Sequence, residues 1–207
     1  MKKAQLVLIS LLCFIVLFAQ AQRKADQSAI GQKSAVNTSE TIYYYGVDFS
    51  HVRVSDGAKQ AKGPEYSTVY PGSWISYVEK EMPPITVQKR IRVHSFLYKQ
   101  DEIAAVSKQV VPDFIIGTNY SFGVDTLKSA IRRYTVSQSS GTGLVLIPEN
   151  FNKSQEKAMT WVVFFDIKTR DILWATKAYG KCEHMGYTAH WASGVIDGFN
   201  YFYHHNY

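Results

Sequence analysis

The sequence predicts a single α/β or α+β domain, in which a mixed β-sheet packs against helices and a C-terminal amphipathic helix closes the chain. Segments with strand-like and helix-like spacing of apolar residues alternate along the chain. Residues 159–167 are apolar on both faces, as a strand in the middle of a covered sheet is. Trp191, Val195, Phe199 and Phe202 form one apolar stripe near the carboxyl terminus.

The amino terminus has the three parts of a cleavable signal peptide. Lys2 and Lys3 give a basic start, residues 6–18 are apolar, and residues 19–21 are Ala-Gln-Ala, a small-x-small cleavage site. The apolar run falls short of the roughly 20 residues that a membrane span needs. We expect residues 1–21 to be removed, which predicts a periplasmic or secreted protein of a Gram-negative bacterium, with the outer-membrane surface as a further address.

Composition divides the remaining chain into a leader and a domain. Residues 22–40 contain only Ile30 and Val36 as large aliphatic residues, which is typical of a flexible leader. Residues 41–207 are much more apolar, and their length is normal for one globular domain.

The charge of the chain is mildly basic. Without Lys2 and Lys3, the 23 basic residues become 21, against 17 acidic ones. The basic residues are scattered and form no stripe, so the composition does not favour nucleic-acid binding.

A strand opens the domain, because Tyr43, Tyr45, Val47 and Phe49 recur with period two, as they do on a strand with one buried face. Residues 56–72 are rich in Gly, Lys, Ser and Pro and predict a long loop.

A short amphipathic helix is predicted over residues 73–82, with Ser73 as its cap and Pro83 and Pro84 after its end. Residues 85–97 then predict a further strand, with an irregular spacing of apolar residues.

Three shorter elements follow. They are a helix over residues 101–110 that ends before Pro112, a buried strand over residues 114–116, and a helix capped by Asp125. The apolar side of the last helix consists of Leu127, Ala130, Ile131 and Tyr134.

The last third of the domain contains the clearest strand patterns. Strands are predicted over residues 143–147, 159–167 and 172–176, and the four polar residues between the last two indicate a hairpin. Gly194 and Gly198 would weaken the closing helix in isolation. We therefore expect a close approach of this helix to the sheet to explain them.

The hairpin region carries a resemblance to known proteins. Residues 164–174 read Phe-Phe-Asp-Ile-Lys-Thr-Arg-Asp-Ile-Leu-Trp, with Gly180 and the helix around Trp191 after them. Together with residues 45–50 and 141–153, this block resembles uncharacterised secreted proteins of Gram-negative gut-type bacteria. This resemblance implies no particular activity.

The same hairpin is more distantly similar to an element of envelope proteins such as the TolB amino-terminal domain and the curli secretion lipoprotein. The spacing from Asp166 through Thr169 to Trp174 is retained, and Arg170 stands where those proteins often have Gly. This similarity implies an assembly or binding role at the cell envelope, by analogy of fold alone.

Asp48, Ser50 and His51 are the residue types of a hydrolase triad within four positions. On a strand, Asp48 and Ser50 would point to one face and His51 to the other, so they could not form a Ser-His-Asp chain. We interpret them as a polar edge of the sheet and assign no catalytic residue.

Cys182 is the only cysteine left after signal cleavage, because Cys13 lies inside the apolar run. His184 and His190 lie near it in sequence, so a Cys-His nucleophile or a zinc or copper site at Cys182 is an alternative hypothesis. The spacing matches no standard site, and an inert, partly buried thiol is the simpler interpretation. We therefore expect no cofactor and no metal.

Two further kinds of site have weak patterns. Residues 141–143 read Gly-Thr-Gly but lack the Lys and the helix start of a phosphate-binding loop, which indicates a turn into a strand. Paired carboxylates would require two of Asp48, Asp113, Glu149 and Asp166 to meet in space, and Asp166 is most simply a turn residue.

The tyrosines outside the predicted core suggest a role in recognition. Seven tyrosines are not explained by the predicted core: Tyr44, Tyr66, Tyr70, Tyr187, Tyr201, Tyr203 and Tyr207. Exposed tyrosines suit recognition of another envelope protein or a glycan, although tyrosine also commonly borders a core. We predict a non-catalytic secreted or cell-envelope protein with a binding or assembly role; the alternative is a small extracytoplasmic enzyme or metal-binding protein centred on Cys182.

Overall fold

The computed structural model describes residues 29–38, 40–55, 68–110 and 114–207. The strands in this part of the chain are β1 (Ile30–Gly31), β2 (Ile42–Val47), β3 (Arg53–Ser55), β4 (Phe96–Tyr98), β5 (Ile115–Ile116), β6 (Thr142–Asn152), β7 (Lys157–Asp166) and β8 (Ile172–Lys181). The α-helices are α1 (Tyr70–Glu81), α2 (Pro84–Ile91), α3 (Gln100–Ser107), α4 (Val124–Arg132) and α5 (Tyr187–Asn206). A short 3-10 helix lies at Lys33–Ala35.

The strands form one mixed sheet in the order β1-β8-β7-β6-β2-β4, which confirms the predicted fold class. The long strand β6 organises the sheet. It pairs in parallel with β2 near its start and with β3 near its end, and β3 also pairs with β5. On its other edge β6 pairs antiparallel with β7, which forms the predicted hairpin with β8.

Helices cover both faces of the sheet, so the domain has two hydrophobic cores. Residues of α1, α2 and α5 form the core on one face, and residues of α3 and α4 contribute to the core on the other. The predicted stripe of α5 is confirmed, since Trp191, Val195, Phe199 and Phe202 are all buried. In the described part of the chain, no helix has the length and apolar character to cross a membrane.

Part of the segment expected to be a flexible leader is ordered. Ile30 and Gly31 pair antiparallel with Ala175 and Trp174 of β8, and Val36 is buried in the core. The few aliphatic residues of this segment are thus the ones that dock, because they cover an otherwise open strand edge. Predictions for residues 1–28, including the signal peptide, lie outside the described residues.

The prediction of a strand over residues 85–97 was wrong for most of its length. Pro84 begins α2 rather than ending the helical region, since proline is well tolerated in the first turn of a helix. Val87 and Ile91 are one helical turn apart and both buried, which explains the irregular period. The strand is confined to β4, at one end of the sheet order.

The predicted helix starts also need correction. Helix α1 begins at Tyr70, so Ser73 lies inside it, and its hydroxyl donates to the Val69 carbonyl at 3.2 Å. Asp125 lies in the first turn of α4, which follows Gly123 and has no side-chain cap. In both cases the cap residue was placed too late, because helix ends are the least determined part of a periodic pattern.

The first strand does not keep one buried face, as its alternation suggested. Tyr45 packs in one core, whereas Val47 and Phe49 pack in the other. Gly46, with φ at 74°, lies in a register irregularity between Tyr44 and Val47, which reverses the side on which later side chains point. A Cβ on Gly46 would lie 1.7 Å from Oε1 of Gln100.

Helix α5 approaches the sheet through glycines. A Cβ on Gly180 of β8 would lie 1.9 Å from the carbonyl oxygen of Gly194 and 2.3 Å from the backbone nitrogen of Gly198. A Cβ on Gly194 would lie 2.5 Å from Sγ of Cys182. The expected close approach is therefore confirmed, and it explains both glycines of the helix.

Candidate functional site

Asp48, Ser50 and His51 come after the end of β2 and lie in a turn, not on a strand as assumed. The buried Asp48 carboxylate accepts hydrogen bonds from the Ser50 backbone N–H at 2.9 Å and from the Tyr134 hydroxyl at 2.7 Å. Arg133 Nη2 donates to Ser50 Oγ at 2.7 Å and lies 3.0 Å from His51 Nε2. Asp48 thus bonds to a turn and a tyrosine.

This arrangement does not form a catalytic triad. The partner of Ser50 Oγ is the Arg133 guanidinium, which cannot accept its proton. Burial lowers the pKa of His51, and Asp48 opposes that shift. Sequence reasoning missed Arg133 and Tyr134 here, because both come from the region after α4, far away in sequence.

A buried ion pair lies on the α4 side of the sheet, which sequence reasoning did not find. Glu149 is fully buried, and its Oε2 lies 2.8 Å from Nζ of Lys177. Its Oε1 accepts from the backbone N–H of Phe122 at 2.6 Å and lies 3.3 Å from the indole nitrogen of Trp161. Since the charges are mutually compensated, we interpret this cluster as a support for the 121–122 segment.

The other carboxylates do not join Glu149. Oδ1 of Asp166 accepts from the backbone N–H of Thr169 at 2.7 Å, which confirms Asp166 as a turn residue of the hairpin. Arg170 in the same turn has φ at 65°, in the left-handed region that favours glycine. Asp113 lies outside the described residues.

Cys182 is buried, with 3% of its surface exposed, and it packs against Gly194 of α5. Burial, together with the nearby charge of Glu156, raises the pKa of the thiol to about 12. A nucleophilic or metal-binding cysteine requires the opposite shift. The observed environment is that of a packed, protonated thiol.

His184 and His190 are in contact, but the contact joins the side chain of His190 to the backbone of His184. Nδ1 of His190 lies 3.1 Å from the carbonyl oxygen of His184. Within the described ranges, no group of three His, Cys, Asp or Glu side chains is arranged so that it could hold a metal ion.

The seven candidate tyrosines have different positions. Tyr44 was a wrong choice, because it is buried in the core between Phe96 and Tyr98. Tyr70, Tyr187 and Tyr207 are half-buried and pack against the same core. Tyr66 lies outside the described residues, which leaves Tyr201 and Tyr203 as recognition candidates on α5.

Tyr201 and Tyr203 line a groove between helices α1 and α2 on one side and the outer side of α5 on the other, which we call the α5 groove. It consists of two adjoining cavities of about 360 Å³ and 590 Å³ that share Arg90, Asp197 and Asn200 as lining residues. Tyr77 and His184 line the first cavity, whereas Tyr201, Tyr203, His204 and His205 line the second. Tyr201 is 40% exposed, and its ring stacks on His205.

Arg90 is unusual among the charged residues of this groove. Lys181 is paired with Glu183 at 2.8 Å, and Asp197 accepts from the backbone N–H of Lys181 at 2.8 Å. In contrast, the Arg90 guanidinium makes no hydrogen bond or ion pair with any other described residue, and its Nη1 is covered from water. Burial lowers its pKa, although Tyr203 partly offsets the shift.

The α5 groove thus offers a cation without a partner, an acceptor and aromatic rings. Oδ1 of Asn200 is buried and has no hydrogen-bond partner in the part of the chain that the structure describes. Arginine matches carboxylate geometry through two parallel hydrogen bonds, and an amide oxygen accepts from a hydroxyl. Such a set of groups can bind and orient a ligand.

Comparison with known proteins gives a distant structural likeness and no family. No family model and no curated protein matches the chain. Among solved structures, a chain of the PelC dodecamer from Paraburkholderia phytofirmans is similar at 9% identity and a TM-score of 0.27. The match covers 83% of this chain and 94% of that one, and a likeness this distant carries no inference about function.

Proposed function

We propose that this protein is a non-catalytic secreted or cell-envelope protein with a binding role, and that it binds an acidic glycan in the α5 groove. The observation that carries the proposal is the guanidinium of Arg90, which lines both cavities of the groove and has no partner among the described residues. A guanidinium nitrogen that is covered from water and has no hydrogen-bond partner is costly, and a bound carboxylate would supply the missing interaction.

The other lining residues suit the remaining chemistry of such a ligand. An acidic sugar presents hydroxyl groups beside its carboxylate, and Oδ1 of Asn200 could accept a hydrogen bond from one of them. Tyr201 and Tyr203 offer large contact areas with few rotatable bonds, so they lose little entropy when a ligand binds.

The alternative centred on Cys182 has weaker support. The thiol is packed beneath α5 and its pKa is raised to about 12 by burial, so it would be neutral and poorly accessible at physiological pH. The extracytoplasmic address in the proposal depends on the signal-like pattern of residues 1–21.

Titration calorimetry would test the proposal with a tetrasaccharide of uronic acid residues and with a neutral tetrasaccharide. We expect Arg90→Gln to weaken binding of the acidic sugar about tenfold or more, since hydrogen bonds to charged groups contribute about 1.5–3 kcal/mol. Arg92→Gln is the matched control: Arg92 is exposed and does not line the groove, so binding should change less than about twofold.

Equal affinity of wild type and the Arg90 variant would contradict the proposed site. Binding of an acidic peptide in preference to both sugars would replace the glycan with a protein partner. Neither variant should be less stable than wild type in thermal unfolding, because Arg90 makes no hydrogen bond or ion pair that its loss would break in the described structure, and Arg92 is exposed.

A further inference from the structure

A separate cavity of about 320 Å³ lies at the start of α5, beside the turn between β6 and β7. We call it the Trp191 pocket, and the lining residues that matter for its chemistry are Lys153, Glu156, Tyr187, His190 and Trp191. It shares no lining residue with the α5 groove, so its role is independent of the proposed function.

Trp191 contributes a hydrogen-bond donor that has no partner. The side chain is 1% exposed, and its indole N–H makes no hydrogen bond with any described residue. The ring is fixed in place, since it stacks on Phe151 with centroids 4.9 Å apart and an interplanar angle of 2°. Buried donors without partners are rare and cost about 1–3 kcal/mol each, so this N–H is unusual in a well-packed wall.

His190 contributes an acceptor on the ring beside Trp191. Its Nδ1 lies 3.1 Å from the carbonyl oxygen of His184, which can only accept, so Nδ1 carries the proton in the neutral ring. Nε2 then bears a lone pair, and it too is buried without a partner among the described residues. The His190 ring lies 4.7 Å from Trp191, so the donor and the acceptor belong to adjoining rings of one wall.

The charges at the pocket compensate each other. Nζ of Lys153 lies 3.9 Å from a carboxylate oxygen of Glu156, so the pair offers another donor and another acceptor without net charge. The wall therefore combines matched donors and acceptors with the aromatic side chains of Tyr187 and Trp191. This balance suits a neutral ligand, in contrast to the unpaired cation of the α5 groove.

We propose that the Trp191 pocket binds one neutral, polyhydroxylated sugar residue. A hydroxyl group both accepts and donates, so one sugar hydroxyl accepts from the indole N–H of Trp191 and donates to Nε2 of His190. The half-buried ring of Tyr187 contacts the apolar face of the sugar, and Lys153 and Glu156 bind further hydroxyls. A volume of about 320 Å³ is at the small end of ligand pockets, which suits a single residue.

Indole N–H signals in a ¹H–¹⁵N spectrum test this directly, because the four tryptophans give separate signals. We expect glucose, galactose or N-acetylglucosamine to shift the Trp191 signal in a saturable way. Trp161 is an internal control, since it packs in the core on the other face of the sheet, its indole nitrogen lies 3.3 Å from Glu149, and it does not line this pocket. Its signal should not move.

Two variants assign the contacts. Trp191→Phe keeps a flat ring and removes the N–H, and His190→Phe keeps a ring and removes the acceptor. Each should weaken sugar binding at least about fivefold by ligand-observed NMR, as loss of one hydrogen bond predicts. If Trp191→Phe does not fold, the half-buried His190 still gives the test. Arg90→Gln should leave this binding unchanged, so failure of one site is distinguishable from failure of the other.

The proposal is overturned if none of the three sugars shifts the Trp191 signal. It is also overturned if acetate or phosphate shifts that signal and the sugars do not, since the pocket would then be an anion site. Sugar binding that is unaffected in both the Trp191 and His190 variants would place the ligand elsewhere.

Discussion

Cys182 has a different role in each of the two functions considered for this protein. It is an inert, packed side chain in a binding protein, and it is the central residue in the enzyme or metal-binding alternative. Its sulfur packs against α5, where a Cβ on Gly194 would lie 2.5 Å from Sγ. Burial raises the pKa of the thiol to about 12 from an ordinary value near 8.5. Packing therefore makes this thiol unreactive. The nearness of His184 and His190 in sequence does not make it a nucleophile or a metal ligand.

The shifted thiol pKa predicts a pH dependence of stability. Between pH of about 8.5 and 12 the unfolded chain loses the Cys182 proton and the folded chain keeps it. The folded state thus binds more protons in this window, and the contribution of Cys182, fully present below pH of about 8.5, declines as pH rises, by up to about 1.4 kcal/mol per pH unit. Urea unfolding at pH 7, 9 and 10 should show a smaller decline for Cys182→Ala than for wild type.

Thiol labelling provides an independent check of the same residue. Iodoacetamide should modify Cys182 slowly in the native protein and rapidly in urea, because only the thiolate reacts and only the unfolded chain exposes it. Rapid labelling of the native protein at pH 6 would contradict the buried position and favour the enzyme hypothesis.

The docking of α5 on the sheet depends on glycines at the contact as well as on the apolar stripe of the helix. Gly180 of β8 faces Gly194 and Gly198 of α5, and the backbones approach too closely for a Cβ. The apolar stripe from Trp191 to Phe202 can then reach the core beneath it. Both proposed sites depend on α5, which supplies residues to the α5 groove and to the Trp191 pocket.

Gly180→Ala should therefore destabilise the protein by about 1–3 kcal/mol or more, because the new Cβ would lie 1.9 Å from a backbone oxygen that cannot rotate away. Gly72→Ala is the control, since a Cβ at this position in α1 would meet no atom of the described residues within 4 Å, apart from its chain neighbours and its own helix backbone. That change should stabilise by about 0.5–1 kcal/mol through helix propensity. Chemical unfolding of the two variants and of wild type measures both effects. Equal unfolding midpoints for the two variants would contradict the close packing of α5.

At the scale of the whole molecule, the two ends of the described domain meet. Nζ of Lys33 donates to the carbonyl oxygen of Asn206 and lies 4.0 Å from the ring centroid of Tyr207. Residues Ile30 and Gly31 extend the sheet beside β8 in the same region. Residues 30–36, which follow the signal-like sequence, are thus part of the folded domain.

The signal-like sequence predicts that the protein is exported and cleaved after Ala21. Expression of the full sequence in a Gram-negative host should yield a periplasmic or medium fraction whose intact mass corresponds to a chain starting at Gln22, because Ala19 and Ala21 flank a small-x-small site. Replacing Ala21 with Arg should block cleavage and cause a larger, membrane-retained species to accumulate. A wild-type protein that keeps residues 1–21 would contradict the signal-peptide interpretation.

Several features of the fold follow from local patterns of apolar and polar residues alone. These are the fold class, the first half of β6, the strand β7, the hairpin turn at Asp166 and the buried stripe of α5, because periods of two and 3.6 report which faces are buried. The sequence also predicts a close approach of α5 to the sheet from Gly194 and Gly198, and the structure confirms it.

Which distant side chains meet, and which polar groups are left without a partner, depends on how the elements pack together. Arg90 shares its cavities with Asn200, Glu149 pairs with Lys177, and Tyr44 is buried between residues of β4 rather than exposed. These neighbours are set by strand register, by the irregularity at Gly46 and by how deeply α5 docks. None of these is encoded in a local period, since the same pattern fits several registers until two-sided packing selects one.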